Sequence, residues 1–313
     1  MPTDASLPAN LATHAQQSAL RVLPPAKGSH PQLALSVDTL VEGIHFFAQV
    51  SANALGHKCA AVNLSDIAAM GAQPAWLVMY VQQAKQDLDW LADFTAGAQA
   101  LAASYDTKLS VQPSSGPQLR ITVQVGGHLV AGQATTRSGA SAGDDIIVTG
   151  TLGDAGAALA LHYAEQFDHA NPDHKLLNER LERPTPRIHA GLLACGLASS
   201  GLDLSDGLVG DIAHLLGDDL GACIDAERLP LSPTLRKVYP RQADAMRLAL
   251  SGGDDYELCL TVPRAKRDEL IRKCTAAHIQ ATQIGSITAN GLVEWRGIDL
   301  KNDTLRGYQH FRT

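Results

Sequence analysis

Four short segments of the chain place serine or glycine next to aspartate, where a strand or loop is predicted to end or a helix to begin. They are Ser36-Val37-Asp38, Ser65-Asp66, Asp203-Leu204-Ser205-Asp206 and Gly252-Gly253-Asp254. Carboxylate oxygens at such positions suit a hard cation such as Mg²⁺, and helix N-termini and glycine-rich turns accept phosphate groups. A residue that caps a turn or a helix explains each segment taken alone. Their repeated association in one chain favours a site for Mg²⁺ and phosphate.

Runs typical of strands alternate with longer alanine- and leucine-rich stretches typical of helices. Strands are predicted at residues 33–37, 76–81, 119–125, 145–149 and 256–262. Helices are predicted at residues 54–70, 87–104, 155–165 and 264–277, and a further helix that starts at Asp206 is predicted to bury Leu208, Ile212, Leu215 and Leu216. Residues 165–187 are polar and interrupted by proline. The alternation predicts α/β or α+β layers, with a boundary near residue 140 that gives domains 1–140 and 141–313.

The composition excludes several classes of function. The 313 residues carry a formal net charge of −7, which argues against a surface built to bind nucleic acid or an anionic membrane. No apolar run approaches the roughly 20 residues that a bilayer requires, and a secretory signal is not expected. The five cysteines show no CxxC spacing, so reduced, buried thiols in a cytoplasmic enzyme are expected rather than disulfides or a zinc site.

Five blocks of the sequence occur in an order that resembles one enzyme family. They are SVDTLVEGIHF, AVNLSDIAAMGAQPAW, GQATTRSGASAGDDIIVTGTLGD, LDLSDGL and LALSGGDDYELC. From about Leu33 to the C-terminal GYQHF, the chain resembles the thiamine-monophosphate kinases, part of the ATP-binding superfamily of aminoimidazole ribonucleotide synthetase. The resemblance implies a two-domain fold, with an N-terminal mixed sheet and helices that form a homodimer and a C-terminal α/β domain. It also implies that ATP, bound with several Mg²⁺ ions, phosphorylates thiamine monophosphate to thiamine diphosphate.

The resemblance also implies a role for individual residues. The implied Mg²⁺ ligands are Ser36, Asp38, Asp66, Asp203 and Asp206. The implied catalytic residues are Asp38, Asp66 and Arg137, and those that bind ATP are Arg137 and Ser205. The residues implied to bind thiamine monophosphate are His45, Asp254, Tyr308 and Phe311. A phosphate monoester, with a second pKa of about 6, is largely ionised at pH 7. Its oxygen therefore needs no strong general base, and charge neutralisation by Mg²⁺ and arginine is expected to dominate.

The chain departs from the family at two acidic motifs. Residues 15–19 (AQQSA) stand where the family has Gly-Asp-Asp, and Pro113 stands at the acid of a Gly-Gly-Asp-Thr motif. Smaller departures are Val37 for threonine, Asp254 for glutamate and Gln309 for aspartate. These losses leave open a degenerate relative, non-catalytic or weakly active, that binds nucleotide or thiamine phosphate.

Other enzymes of the superfamily, which make aminoimidazole ribonucleotide or selenophosphate, would share the fold. The selenophosphate enzyme needs a reactive cysteine or selenocysteine near a glycine-rich N-terminus. The first cysteine here, Cys59, lies in a predicted helix. The blocks EGIHF and SGGDDYEL also favour the thiamine enzyme.

Overall fold

The computed structural model describes residues 32–130, 132–298 and Gly307. Within these residues the chain forms two mixed β-sheets with helices packed against them. This confirms the predicted α/β fold class. The predictions for residues 15–19 and for Tyr308, Gln309 and Phe311 lie outside the described residues.

Four strands from the N-terminal half form the first sheet. They are β1 (Gln32–Val41), β2 (Gln73–Gln83), β3 (Lys108–Ser115) and β4 (Arg120–Leu129), in the order β1-β4-β2-β3. Strands β2 and β3 pair in parallel, whereas β4 is antiparallel to both of its neighbours. The sequence does not predict β3. Its position at the edge of the sheet explains how it accommodates Pro113, which lacks a backbone N–H.

Two helices, α1 (Ala52–Ala69) and α2 (Leu88–Ser104), pack against one face of this sheet. The Ser51 hydroxyl caps α1 at its start. The helices approach so closely at Gly56 that a Cβ atom there would collide with the Phe94 carbonyl. The other face of α1 contacts elements of the second domain, so fifteen of its 18 residues are buried. A helix buried on all sides is typical of the centre of a large fold.

Six strands form the second sheet, in the order β10-β7-β9-β5-β8-β6. They are β5 (Asp145–Thr149), β6 (Ser200–Asp203), β7 (Gly221–Asp225), β8 (Leu258–Val262), β9 (Ala281–Thr288) and β10 (Val293–Arg296). The helices of this half are α3 (Asp154–Tyr163), α4 (Pro172–Glu182), α5 (Ile188–Ala194), α6 (Leu208–Asp211), α7 (Pro233–Val238), α8 (Gln242–Ser251) and α9 (Arg264–Ala276), with 3₁₀ turns at Ile212–Leu215 and Ala226–Arg228. Core strand β5 matches its predicted bounds.

Two predicted bounds next to the acidic segments are wrong. The helix after LDLSDGL begins at Leu208 instead of Asp206, because Gly207 has a φ of +97° and lies outside the helix. Strand β8 begins at Leu258 instead of residue 256, because Tyr256 has a φ of +50°. Asp206 and Asp254 therefore lie in loops, where their backbone N–H groups take no part in the hydrogen bonds within a helix or a sheet.

The linker between β4 and β5 runs between the two domains. The Thr135 N–H donates to the Met70 carbonyl (3.1 Å), and the Gly201 N–H donates to the Thr136 carbonyl (2.9 Å). The linker therefore joins the end of α1 to β6. The predicted boundary at residue 140 falls within it and stays a prediction.

The five cysteines are free thiols, as expected, although Cys195 and Cys223 are not fully buried. In the part of the chain that the structure describes, no helix is long and apolar enough to cross a membrane. The predicted cytoplasmic location stays a prediction.

Candidate active site

A hydrogen bond between β1 and α1 forms the first part of the site. The Ser36 hydroxyl donates to Asp66 Oδ2 over 2.6 Å. Burial raises the pKa of Asp66, the Ser36 hydrogen bond lowers it, and the negative charge of Asp38 raises it. Asp38 is exposed, and its Oδ1 accepts the Thr39 N–H (2.6 Å). The structure thus brings together the acids of the first two predicted segments.

Asp203, the last residue of β6, forms the second part. It is 8% exposed. Burial raises the pKa of Asp203 to about 7, and the negative charge of Asp66 makes the next largest contribution. Two carboxyl groups that affect each other's ionisation in this way lie close together. The third predicted segment therefore meets the second at the boundary between the domains.

Asp211 is a further acid of the site, and it lies outside the four predicted segments. Its Oδ2 accepts the backbone N–H of Asp206 over 3.0 Å and so holds the loop after β6. Burial raises the pKa of Asp211 to about 7, the hydrogen bond from Asp206 lowers it, and the charge of Asp206 raises it. Asp211 lies in a buried helical stripe with Leu208, Ile212 and Leu215. An aspartate at a core position of that pattern is the signal that could have identified it.

Arg137 and Ser205 flank these acids. Arg137 lies in the linker and is exposed, and its positive charge lowers the pKa of both Asp66 and Asp211. The Ser205 hydroxyl is 3.5 Å from Asp206 Oδ1. The one predicted cation of the site is therefore within electrostatic reach of acids from both domains.

Asp254 joins the two domains through its side chain. Its Oδ2 forms an ion pair with Lys58 Nζ on α1 (3.1 Å), and its Oδ1 accepts the Tyr256 hydroxyl (3.0 Å). Its backbone N–H donates to the Ser205 carbonyl over 2.8 Å. Lys58 could not be identified from the sequence, because a single lysine in a helix usually lies at the solvent face, and no spacing distinguishes it. In the structure Lys58 is only 4% exposed.

His45 lies in the turn after β1. Its Nδ1 accepts the Val41 N–H over 3.0 Å, so Nε2 carries the proton of the neutral ring. The nearby Phe47 packs against His162 of α3, with ring centroids 5.0 Å apart. Within residues 32–130 and 132–298, no hydrogen bond or ion pair joins His45 to the acids. The structure fixes the position of this turn and does not bring His45 into contact with the acids.

Gly307 lies against the loop that contains Asp206. A Cβ atom at Gly307 would lie 2.8 Å from Gly210 Cα and 2.9 Å from the Asp206 carbonyl oxygen. Gly307 therefore lies directly beside the loop after β6. The roles of Tyr308 and Phe311 stay predictions.

The acids fit a divalent cation by their chemistry. Asp203 and Asp211 are buried carboxyl groups whose pKa is raised to about 7. The positive charge around them therefore does not offset the cost of burying their ionised forms. No three acidic, histidine or cysteine side chains of the described residues converge closely enough to hold one ion by themselves. Mg²⁺ usually takes one or two carboxylates and completes its shell with water and substrate phosphates. The pairs of acids present here match that requirement.

Two family models match the chain. AIR synthase related protein, N-terminal domain, matches residues 17–152, and AIR synthase related protein, C-terminal domain, matches residues 141–296. The chain is 42% identical over 287 residues to the thiamine-monophosphate kinase of Escherichia coli strain K12. The aligned region covers 90% of this chain and 87% of the relative.

Solved structures agree with these matches. The thiamine-monophosphate kinase of Stenotrophomonas maltophilia K279a has a TM-score of 0.83 and 37% identity, covering 92% of this chain and 95% of that one. AaThiL complexed with AMPPCP and TMP has a TM-score of 0.79 and 28% identity, covering 96% of this chain and 95% of that one. The chain therefore belongs to the AIR synthase related proteins and, within them, to the thiamine-monophosphate kinase family.

Proposed function

We propose that this protein transfers the γ-phosphoryl group of ATP to thiamine monophosphate, giving thiamine diphosphate and ADP. The observation that carries this proposal is the 42% identity to a thiamine-monophosphate kinase over 90% of the chain. The proximity of Asp66 to Asp203, and the hydrogen bond from the Asp206 N–H to Asp211, support it. AaThiL, a relative of the same fold, is known as a complex with AMPPCP and TMP, which are the kinds of ligand this reaction requires.

We propose that four aspartates and one serine of the candidate site hold Mg²⁺. They are Ser36, Asp38, Asp66, Asp203 and Asp206. When bound, Mg²⁺ supplies positive charge that reduces the repulsion between the phosphates of the two substrates. The raised pKa values of the buried acids are those of groups that gain from a nearby cation.

The reaction requires alignment more than proton transfer. An ionised oxygen of the thiamine phosphate attacks the γ-phosphorus, and the bond between that phosphorus and the β,γ-bridging oxygen breaks as ADP leaves. We assign Arg137 and Ser205 to the phosphates of ATP. Arg137 is exposed and lies within electrostatic reach of Asp66 and Asp211, so its charge can meet a nucleotide held beside these acids.

The acceptor substrate is assigned to His45, Asp254 and the segment after Gly307. Because Nδ1 of His45 accepts a backbone N–H, Nε2–H is the donor that remains for a substrate oxygen. The Asp254 carboxylate suits the positively charged thiazolium ring of thiamine better than its phosphate. Tyr308 and Phe311 follow Gly307, which lies against the Asp206 loop, and we propose that they shape the pocket.

The alternative of a degenerate relative is less well supported. The lost acid at Pro113 belongs to β3, which is separated from β1 by β4 and β2. With neighbouring strands about 4.8 Å apart, Pro113 lies roughly 14 Å from β1. Its loss therefore leaves the Ser36–Asp66 pair and its neighbours intact. The high identity and coverage of the kinase relatives also favour an active enzyme.

We propose that the outer face of the first sheet forms a homodimer. On that face, Leu33, Leu35, Val37 and Tyr80 are exposed by about half or more of their surface. An exposed row of large apolar side chains on a sheet face typically marks a protein–protein interface. The predicted homodimer through the N-terminal domain accounts for it.

A direct assay tests the activity. The purified protein is incubated with thiamine monophosphate, ATP and Mg²⁺, and thiamine diphosphate is separated by liquid chromatography. We expect product from the wild type and from Asp218→Asn, which changes an exposed aspartate, and little from Asp206→Asn. Calorimetry with thiamine monophosphate and an ATP analogue accompanies the assay. Binding without product at high Mg²⁺ would establish the degenerate relative and refute the kinase.

A further inference from the structure

The carboxylate of Asp254 is held by two donors that come from different domains. Lys58 Nζ on α1 reaches Oδ2 at 3.1 Å, and the Tyr256 hydroxyl reaches Oδ1 at 3.0 Å. Lys58 is 4% exposed, whereas the Asp254 side chain is 25% exposed. The ammonium therefore lies beneath the carboxylate, and the carboxylate is the part of the pair that a ligand can meet.

The backbone around this carboxylate is strained. Asp254 and Tyr256 have φ values of +59° and +50°, a region that costs residues with a side chain roughly 1 kcal/mol or more. Their N–H groups donate to the carbonyls of Ser205 and Leu204, each over 2.8 Å. These bonds tie the strained segment to the loop that contains Asp206. Strain that persists because its surroundings enforce it is typical of binding and catalytic sites.

A buried lysine is costly unless its charge is paired. Among the described residues, Asp254 is the hydrogen-bond acceptor and ion-pair partner of Lys58. One turn away from Lys58 in α1, the residues on both sides are buried and apolar (Ala54, Leu55, Ala61 and Val62), so packing alone would favour an apolar side chain at this position. The positive charge of Lys58 therefore acts on the carboxylate of Asp254, its ion-pair partner.

We propose that Lys58 is a positioning residue that, together with the Tyr256 hydroxyl, fixes the carboxylate of Asp254 for the acceptor substrate. The inference rests on the proposed function, because it assigns these two residues to the thiamine monophosphate half of that site. A carboxylate held on both oxygens cannot rotate away from its ligand, and the cost of ordering it is met before the substrate binds. Lys58 thus acts on the acceptor and leaves the nucleotide half of the site unchanged.

Steady-state kinetics of four variants tests the inference. Lys58→Met removes the charge and keeps the length, Lys58→Arg keeps the charge, and Tyr256→Phe removes one hydroxyl. Lys175→Met, on the exposed surface of α4, is the matched control. We expect Lys58→Met to raise KM for thiamine monophosphate about tenfold and KM for ATP less than about twofold. Tyr256→Phe is expected to act in the same direction, Lys58→Arg to recover part of the loss, and the control to match the wild type.

A double variant distinguishes positioning from general structural support. If Lys58 acts through Asp254, adding Lys58→Met to Asp254→Asn raises KM for thiamine monophosphate no further. Thermal unfolding of each variant identifies any that fail to fold, and Lys58→Arg then supplies the measurement. Additive effects, an equal rise of both KM values, or an unchanged KM for thiamine monophosphate in Lys58→Met would overturn the inference while the wild type still forms product. A wild type that forms no product refutes the proposed function itself and this inference with it.

Discussion

Replacement of Asp203 by asparagine is expected to stabilise the protein in the absence of Mg²⁺. Burial and the charge of Asp66 raise the pKa of Asp203 from its ordinary value of 3.8 to about 7. One pKa unit corresponds to about 1.4 kcal/mol, so the ionised carboxylate costs the folded state of the order of 4 kcal/mol. Asparagine has nearly the same shape and carries no charge. Asp203→Asn should therefore be more stable at pH 8 and inactive or nearly so.

The sign of the pH dependence follows from proton binding. Between pH 3.8 and about 7 the folded protein keeps the proton of Asp203, whereas the unfolded chain releases it. The contribution of Asp203 to stability therefore falls as pH rises through this window and is constant above it. The stability difference between Asp203→Asn and wild type should be near zero at about pH 4 and largest at pH 8.

Urea unfolding followed by tryptophan fluorescence measures this difference at pH 5, 6, 7 and 8 in EDTA. Asp218→Asn, at an exposed position, controls for the replacement itself. Added Mg²⁺ should stabilise the wild type more than Asp203→Asn, because a ligand that binds the folded state stabilises it. A difference that is constant from pH 5 to pH 8, or a variant less stable than wild type at pH 8 in EDTA, would refute the reasoning.

Three further predictions follow from the same contacts. Asp66→Asn and Asp206→Asn should each lower kcat at least about 100-fold in variants that remain folded, and near-normal turnover would mean that these acids only cap the chain. Glu257 is fully buried and paired with Arg180 of α4 and with Arg187, just before α5. Glu257→Ala should therefore lower the free energy of unfolding, measured in urea, by about 3 kcal/mol or more, and a loss below about 1 kcal/mol would contradict this. Tyr80→Lys should give a monomer in size-exclusion chromatography with light scattering, whereas Leu176→Lys, exposed on α4, should not; an unchanged mass would place the dimer interface elsewhere.

The sequence predicted the elements that have strong periodicity or apolar runs. Helix α1 and strand β5 were predicted within two residues of their bounds, because one is a long alanine-rich stretch and the other is a buried run ended by glycine. Strand β3, KLSVQPSS, has neither feature, and its pairing with β2 stabilises it. Helix α4 buries only Leu177 and Leu181, so its apolar stripe is too narrow to stand out in a polar segment.

Motifs in the sequence named the acids of the candidate site, whose roles stay predictions, whereas a single residue that reaches across the fold was not named. The acids of the four serine- and glycine-linked segments were predicted, and three of those segments meet around Asp66, Asp203 and Asp206. Lys58 could not be predicted, because its role depends on Asp254, which is 196 residues away in the chain. Lys58 and Asp254 meet where the two domains pack together, so the residues around either one in the sequence do not predict the contact.

One helix sets the spacing between the two halves of the proposed site. Lys58 and Asp66 are eight residues apart on α1, a separation of about 12 Å along the axis at 1.5 Å per residue. Lys58 pairs with the carboxylate proposed for the acceptor, and Asp66 with the cluster proposed for the nucleotide and Mg²⁺. Because α1 is buried on all sides, this spacing does not change when loops at the site move. Alignment of two anionic substrates, which phosphoryl transfer requires above all, is thereby built into the core of the fold.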